Sequence, residues 1–199
     1  RPCRHDRGHA FRKVDPMSYL TSFPGETNLM DVLVADGARA APLLGYTRHA
    51  MRGPSAFSPA EREMIFAFVS GLNACSYCFG QHSHAARLLG IDEGLIDALV
   101  RDVQTAPVDD RFKPVLAYVA KLTRAPSTVI ASDVEGMVAA GWDDRAVLDA
   151  NAVCGLANLM NRMVDGTGVE MDQTGLQRVG IMIAEHGYAP PGGPPTPDA

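Results

Sequence analysis

Cysteine is scarce in this chain, at four in 199 residues, whereas a small disulfide-held scaffold is dense in it. The sequence therefore predicts a reducing, cytoplasmic setting in which paired cysteines are available for chemistry. Basic residues are also few. There are 18 against 23 acidic ones, for a net charge of -5, and they form no long run. This argues against nucleic acid or an anionic membrane as partner and for a small molecule or another protein. Long apolar runs are missing: "MIFAFV" and "VLAYVA" fall far short of the roughly 20 residues that span a bilayer. No secretory pattern is legible, and neither strand-like alternation nor an Asn-Gly hairpin turn is found.

What is present is helical periodicity, and with 46% hydrophobic residues the chain can bury the core of one domain. The expected fold is all-α, with helices at about 26–37, 38–52, 59–70, 73–89, 92–102, 110–124, 133–140, 144–164 and 173–186. Pro42 is expected near a helix start rather than inside one. Ser58, Pro59 and Glu61 form a strong start signal, a capping box with proline in the first turn. Ser132 with Glu135 reads as a second box, Asp143 as a further cap, and Gly141 and Gly187 as stops. Residues 57–100 and 112–165 hint at a degenerate repeat of helical hairpins. The basic segment 1–15 is expected to be disordered or introduced by cloning, 16–188 to be the domain, and the Pro/Gly-rich 189–199 to be a disordered tail.

The chemistry concentrates in "NACSYCFGQH", residues 73–82. With Asn73 as N-cap, Cys75, Cys78 and His82 fall within about 60° of one helix face. Both thiols would lie in the first two turns, where free N–H groups and the helix dipole favour a thiolate. By that argument alone the nucleophile is Cys75, nearer the N-terminus. Glu63, on the preceding helix beside Met64, Ile65 and Phe66, is expected to approach the dithiol, with burial raising its pKa. Zinc is a competing reading, since Cys-x-x-Cys and a histidine are acceptable ligands, but no second ligand pair exists: Cys154 stands alone, and His49 and His84 lack neighbours at ligand spacing. Two inert helix cysteines are the third reading.

Residues 55–90, "SAFSPAEREMIFAFVSGLNACSYCFGQHSHAARLLG", carry Glu63, eleven residues, Cys-x-x-Cys, three residues and His82. This resembles the signature of the alkylhydroperoxidase D-like (AhpD-like), carboxymuconolactone decarboxylase superfamily. The "AAGW" turn and closing "NRMVDGTGV" look more specifically like its peroxidase-related group. The resemblance implies an AhpD-like helical bundle assembling into homo-oligomers, with Glu63, Cys75, Cys78 and His82 forming a proton relay. It makes Cys78 the attacking thiolate and Cys75 the resolving thiol, whose disulfide an external lipoamide- or thioredoxin-like thiol donor reduces. The substrate would be a hydroperoxide or a protein disulfide, with no bound cofactor and no metal.

Some members carry histidine where this chain has Tyr77. A phenol of ordinary pKa about 10 is a poor base at neutral pH, so Tyr77 is a secondary candidate that orients a water or peroxide, or simply packs. Lactone decarboxylation, a reaction that does not depend on the dithiol, and a non-enzymatic redox-sensing module are the alternative functions. Arg162 is expected to pair with Asp165 at a helix end, Trp142 to anchor a turn, Cys154 to be buried and inert, and Cys3 to be exposed.

Overall fold

The computed structural model describes residues 18–23 and 27–189. The expectations for segment 1–15, including Cys3, and for the tail from residue 190 lie outside them. The described residues form nine α-helices and no strand. They are α1 (Leu29–Ala35), α2 (Gly37–Arg52), α3 (Pro59–Leu72), α4 (Ser76–Leu88), α5 (Leu95–Arg101), α6 (Lys113–Arg124), α7 (Ala131–Ala139), α8 (Asp144–Thr167) and α9 (Gln173–His186), with a 3-10 turn at Pro126–Thr128. None is long and apolar enough to cross a membrane.

α3 is the central element: residues 62–70 are all buried, apolar but for Arg62, Glu63 and Ser70, as expected of a helix surrounded by others. It starts where the sequence signals it. Ser58 Oγ accepts from the Glu61 amide at 3.2 Å, and Glu61 returns an acceptor to the Ser58 amide at 2.7 Å, which satisfies two otherwise unpaired donors. α4, α8, α5, α6 and α2 pack around α3, and α9 lies along α4. α4 and α9 approach closely because of two glycines. A Cβ at Gly180 would meet the Gln81 carbonyl oxygen at 2.8 Å, and one at Gly80 would meet Leu176 Cδ1 at 2.7 Å.

At the other end of the core, the rings of Phe57, Phe112 and Trp142 meet at centroid distances of 5.0–5.7 Å. Trp142 donates from Nε1 to the Arg111 carbonyl at 2.8 Å, and the Arg111 guanidinium lies 3.9 Å over its ring. Trp142 thus anchors its turn, as expected.

Two expected starts are corrected. α2 begins directly after the Asp36 break, so Pro42 falls in its second turn rather than near its start. α7 begins at Ala131, not after Ser132. Asp133, rather than Glu135, reaches back to the Ile130 amide at 2.8 Å, and its carboxylate is fixed by Lys121 at 2.6 Å. Asp143 does cap α8, accepting from the Ala146 amide at 3.0 Å.

Candidate active site: a buried dithiol beside a Glu–His pair

Glu63 lies in the fully buried run of α3 and is 0% exposed, a position that demands donors for its charge. Three side chains from distant parts of the chain provide them. Arg52, the last residue of α2, donates from Nη1 to Oε1 at 2.7 Å. His82 of α4 places Nδ1 2.6 Å from Oε2. Tyr188, just beyond α9, donates its hydroxyl at 3.0 Å to Oε1, with Oε2 at 3.3 Å. Burial pushes the Glu63 carboxyl upward, but His82 and Arg52 outweigh it and hold the group below the usual carboxylate range. The expectation of a raised pKa is therefore reversed. Glu63 is an ionised anchor, not a poised base.

His82 stacks on Phe66, centroids 3.7 Å apart and planes 19° from parallel. With its proton on Nδ1 it donates to Glu63, and its Nε2 can accept from the Gln81 amide nitrogen 3.4 Å away. One tautomer satisfies both contacts. Arg52 is itself fixed by the carbonyls of Met51 at 2.8 Å and Ile183 at 3.0 Å.

The dithiol sits at the α3–α4 junction. Asn73 does not cap α4. It ends α3, and Ala74 follows at φ 58°, in the left-handed region that costs an L-residue with a Cβ about 1–2 kcal/mol. The Cys75 amide then donates to the Ser70 carbonyl at 2.9 Å, and Cys75 is the N-cap of α4, its thiol making no capping hydrogen bond. Cys78 is the third residue of the first turn, with His82 one turn further on. The expectation that both thiols lie inside the helix is corrected: Cys78 lies in the first turn and Cys75 is the cap residue that precedes it.

The two cysteines are 3.6 Å apart, free and fully buried. The hydrogen bond to Cys78 is the largest influence on the Cys75 thiol and, with burial, pushes it far above the ordinary range. Tyr77 is nearly buried, and its hydroxyl accepts from the Leu29 amide at 3.3 Å, which ties α1 to α4. Burial raises it further from any role as a base.

The Asn73 side chain is held instead by α8. Its Nδ2 donates to Asn161 Oδ1 at 2.8 Å and Asn158 Oδ1 at 3.0 Å, and Asn161 continues to Ser70 Oγ at 3.0 Å. Arg162 joins Asn158 at 2.8 Å, not Asp165 as expected. Cys154 is buried against the Thr123 hydroxyl at 3.3 Å, and burial raises its thiol. Among the described residues no group of three or more His, Cys, Asp or Glu is placed to hold a metal ion.

The class that fold and site define is an all-helical protein built around a buried Cys-x-x-Cys and a Glu–His pair. No protein-family model matches the chain, and no curated protein does. Solved structures do. The chain is 31% identical to a peroxidase-related protein from Silicibacter sp. TM1040, described as uncharacterized, over 75% of this chain and 78% of that one, with a TM-score of 0.69. It shares the fold, at 22% identity and a TM-score of 0.70, with an alkylhydroperoxidase AhpD core protein from Ralstonia eutropha JMP134, over 80% of this chain and 83% of that one. The chain belongs to the peroxidase-related proteins and has the fold of the alkylhydroperoxidase AhpD core.

Proposed function

We propose that the protein is a thiol-dependent peroxidase whose Cys75–Cys78 dithiol reduces hydroperoxides and is re-reduced by an external dithiol. The observation that carries this reading is the free cysteine pair, 3.6 Å apart, at the start of a helix that also carries a histidine hydrogen-bonded to a buried carboxylate. The Cys78 thiolate attacks the outer peroxide oxygen; the S–O bond forms, the O–O bond breaks, and the alkoxide leaves as alcohol with a proton. Cys75 then attacks the Cys78 sulfenic acid, and the S–S bond forms as water leaves. In sum, two thiols and one hydroperoxide give one disulfide, one alcohol and one water. An external dithiol of the lipoamide or thioredoxin type returns the two electrons.

Cys78 as the attacking sulfur is supported by its place in the first turn of α4 and by the hydrogen bond and burial that hold the Cys75 thiol above its ordinary range. His82 serves as the proton carrier, with Glu63 fixing its orientation. A partner disulfide is the other oxidant of the same class. Assembly of several copies belongs to the same reading; Leu148 and Leu159 on α8 and Met182 on α9 are exposed apolar residues that such an assembly would cover.

The test is to mix the purified protein with a hydroperoxide and dihydrolipoamide. The expected result is turnover that Cys78→Ser abolishes, while Cys75→Ser stalls at a sulfenic acid that dimedone labels on Cys78. Lactone decarboxylation without peroxide turnover, or no activity of either kind, overturns the reading.

A further inference from the structure

Glu63 and His82 do not complete the buried pair; Tyr188 adds a further donor to it. Its hydroxyl lies 3.0 and 3.3 Å from the two Glu63 oxygens and 3.4 Å from His82 Nδ1. We propose that Tyr188 is a positioning residue: its hydroxyl fixes the Glu63 carboxylate and, through it, the tautomer and orientation of His82. The consequence for the dithiol rests on the peroxidase reading; the positioning does not.

The placement is built by several independent features. Gly187 ends α9 at φ 62° and ψ -131°, a backbone conformation that glycine adopts without strain, and Tyr188 follows directly. α9 is seated at short range on α4 by Gly180 and Gly80. Arg52 ties the same end of α9 to α2 through the Ile183 carbonyl, and its guanidinium lies 5.1 Å from the Tyr188 ring centroid. Burial and the neighbouring Glu63 charge push the Tyr188 hydroxyl well above its ordinary range, so it remains a donor. The tyrosine proton and the Nδ1 proton therefore meet one carboxylate as adjacent donors. With Tyr188 on Oε1, Oε2 is left for His82.

The other charged or titratable groups around the pair are Arg52 from α2, Arg62 on α3 itself, and Cys78 from α4. From α8, Asp149 acts on Arg62. The buried side chains of α5, α6 and α9 carry no charge.

The test compares wild type with Tyr188→Phe, which keeps the ring and removes only the hydroxyl. Two readouts are used: the ring 15N spectrum of His82, assigned against His82→Gln, and the rate of dithiol alkylation by iodoacetamide as a function of pH. Wild type should show a single tautomer protonated on Nδ1, and Tyr188→Phe a mixture of the two. Removing a donor from the ionised carboxylate changes how firmly it holds the imidazole, so the alkylation profile should shift along the pH axis. In a Glu63→Gln background the same substitution should add no further shift. A wild-type spectrum and profile in Tyr188→Phe, a shift of equal size persisting in Glu63→Gln, or loss of the folded state would each overturn the proposal. Neither readout requires peroxide turnover, so an inactive protein with a shifted profile would refute the peroxidase reading and leave the role of Tyr188 standing.

Discussion

Replacing Arg52 by methionine tests the electrostatics of the buried cluster. The side chain keeps much of its length but loses the charge that meets Glu63 Oε1 at 2.7 Å. At an effective dielectric constant of about 20, that separation corresponds to an attraction on the order of 6 kcal/mol, from which desolvation of the two ions subtracts several kcal/mol. Removing one partner of a buried pair typically costs about 3–5 kcal/mol, because the other charge stays behind. Here His82 and Tyr188 still donate to the abandoned carboxylate, so the lower end applies, about 3 kcal/mol. Urea unfolding at neutral pH reads that loss directly, and on heating the melting temperature of a domain of this size should fall by about 6–12 °C.

The pH dependence has a definite sign. Glu63 is held below the ordinary range in the folded protein. The pair's contribution is complete above the unfolded carboxylate value of about 4.3 and is lost as pH falls through the lower folded value. The difference between wild type and Arg52→Met should accordingly be largest near neutrality and shrink in acid. A loss under about 1 kcal/mol, or a difference that grows in acid, would refute the assignment of Arg52 and Glu63 as a net-stabilising buried ion pair.

Ala74→Gly should raise stability in urea by about 0.5–1 kcal/mol, because it relieves a Cβ held at φ 58° at the cost of a more flexible unfolded chain. Gly180→Ala should lower the melting temperature, with a cost of about 1–3 kcal/mol, since its Cβ would strike the Gln81 carbonyl oxygen at 2.8 Å; Gly155→Ala, where nothing lies within 4 Å, should be neutral or mildly stabilising. Asn161→Leu leaves Ser70 Oγ and the Asn73 amide short of partners, a loss of about 1–3 kcal/mol by chemical denaturation.

The helices around the site were legible because their signals are local. Ser58, Pro59 and Glu61 fix the start of α3 within one turn, and the spacing of Cys75, Cys78 and His82 alone puts them near one another. The opposite holds for the partners of Glu63. Its neighbours in sequence are apolar and suggest a raised pKa, but its charge is held by His82 and by Arg52, the latter arriving from the end of α2 through tertiary packing. Asn73 is instructive in the same way. Its residue type suits a helix cap, yet two asparagines of α8 claim its amide, and the cap passes to a cysteine two residues later. No pattern within a single helix carries that competition.

The cap position of Cys75 has a mechanical consequence. The span from N-cap to the third helical residue is the one a serine or aspartate closes with a hydrogen bond, and α4 has no such side-chain bond. Here that span ends in a second sulfur. An oxidant that joined Cys75 to Cys78 would clamp the first turn of α4 covalently, and a reductant would release it to fray. The redox state would then be written into the order of a helix end, and amide exchange of residues 76–79 would report it without any spectroscopic label on sulfur.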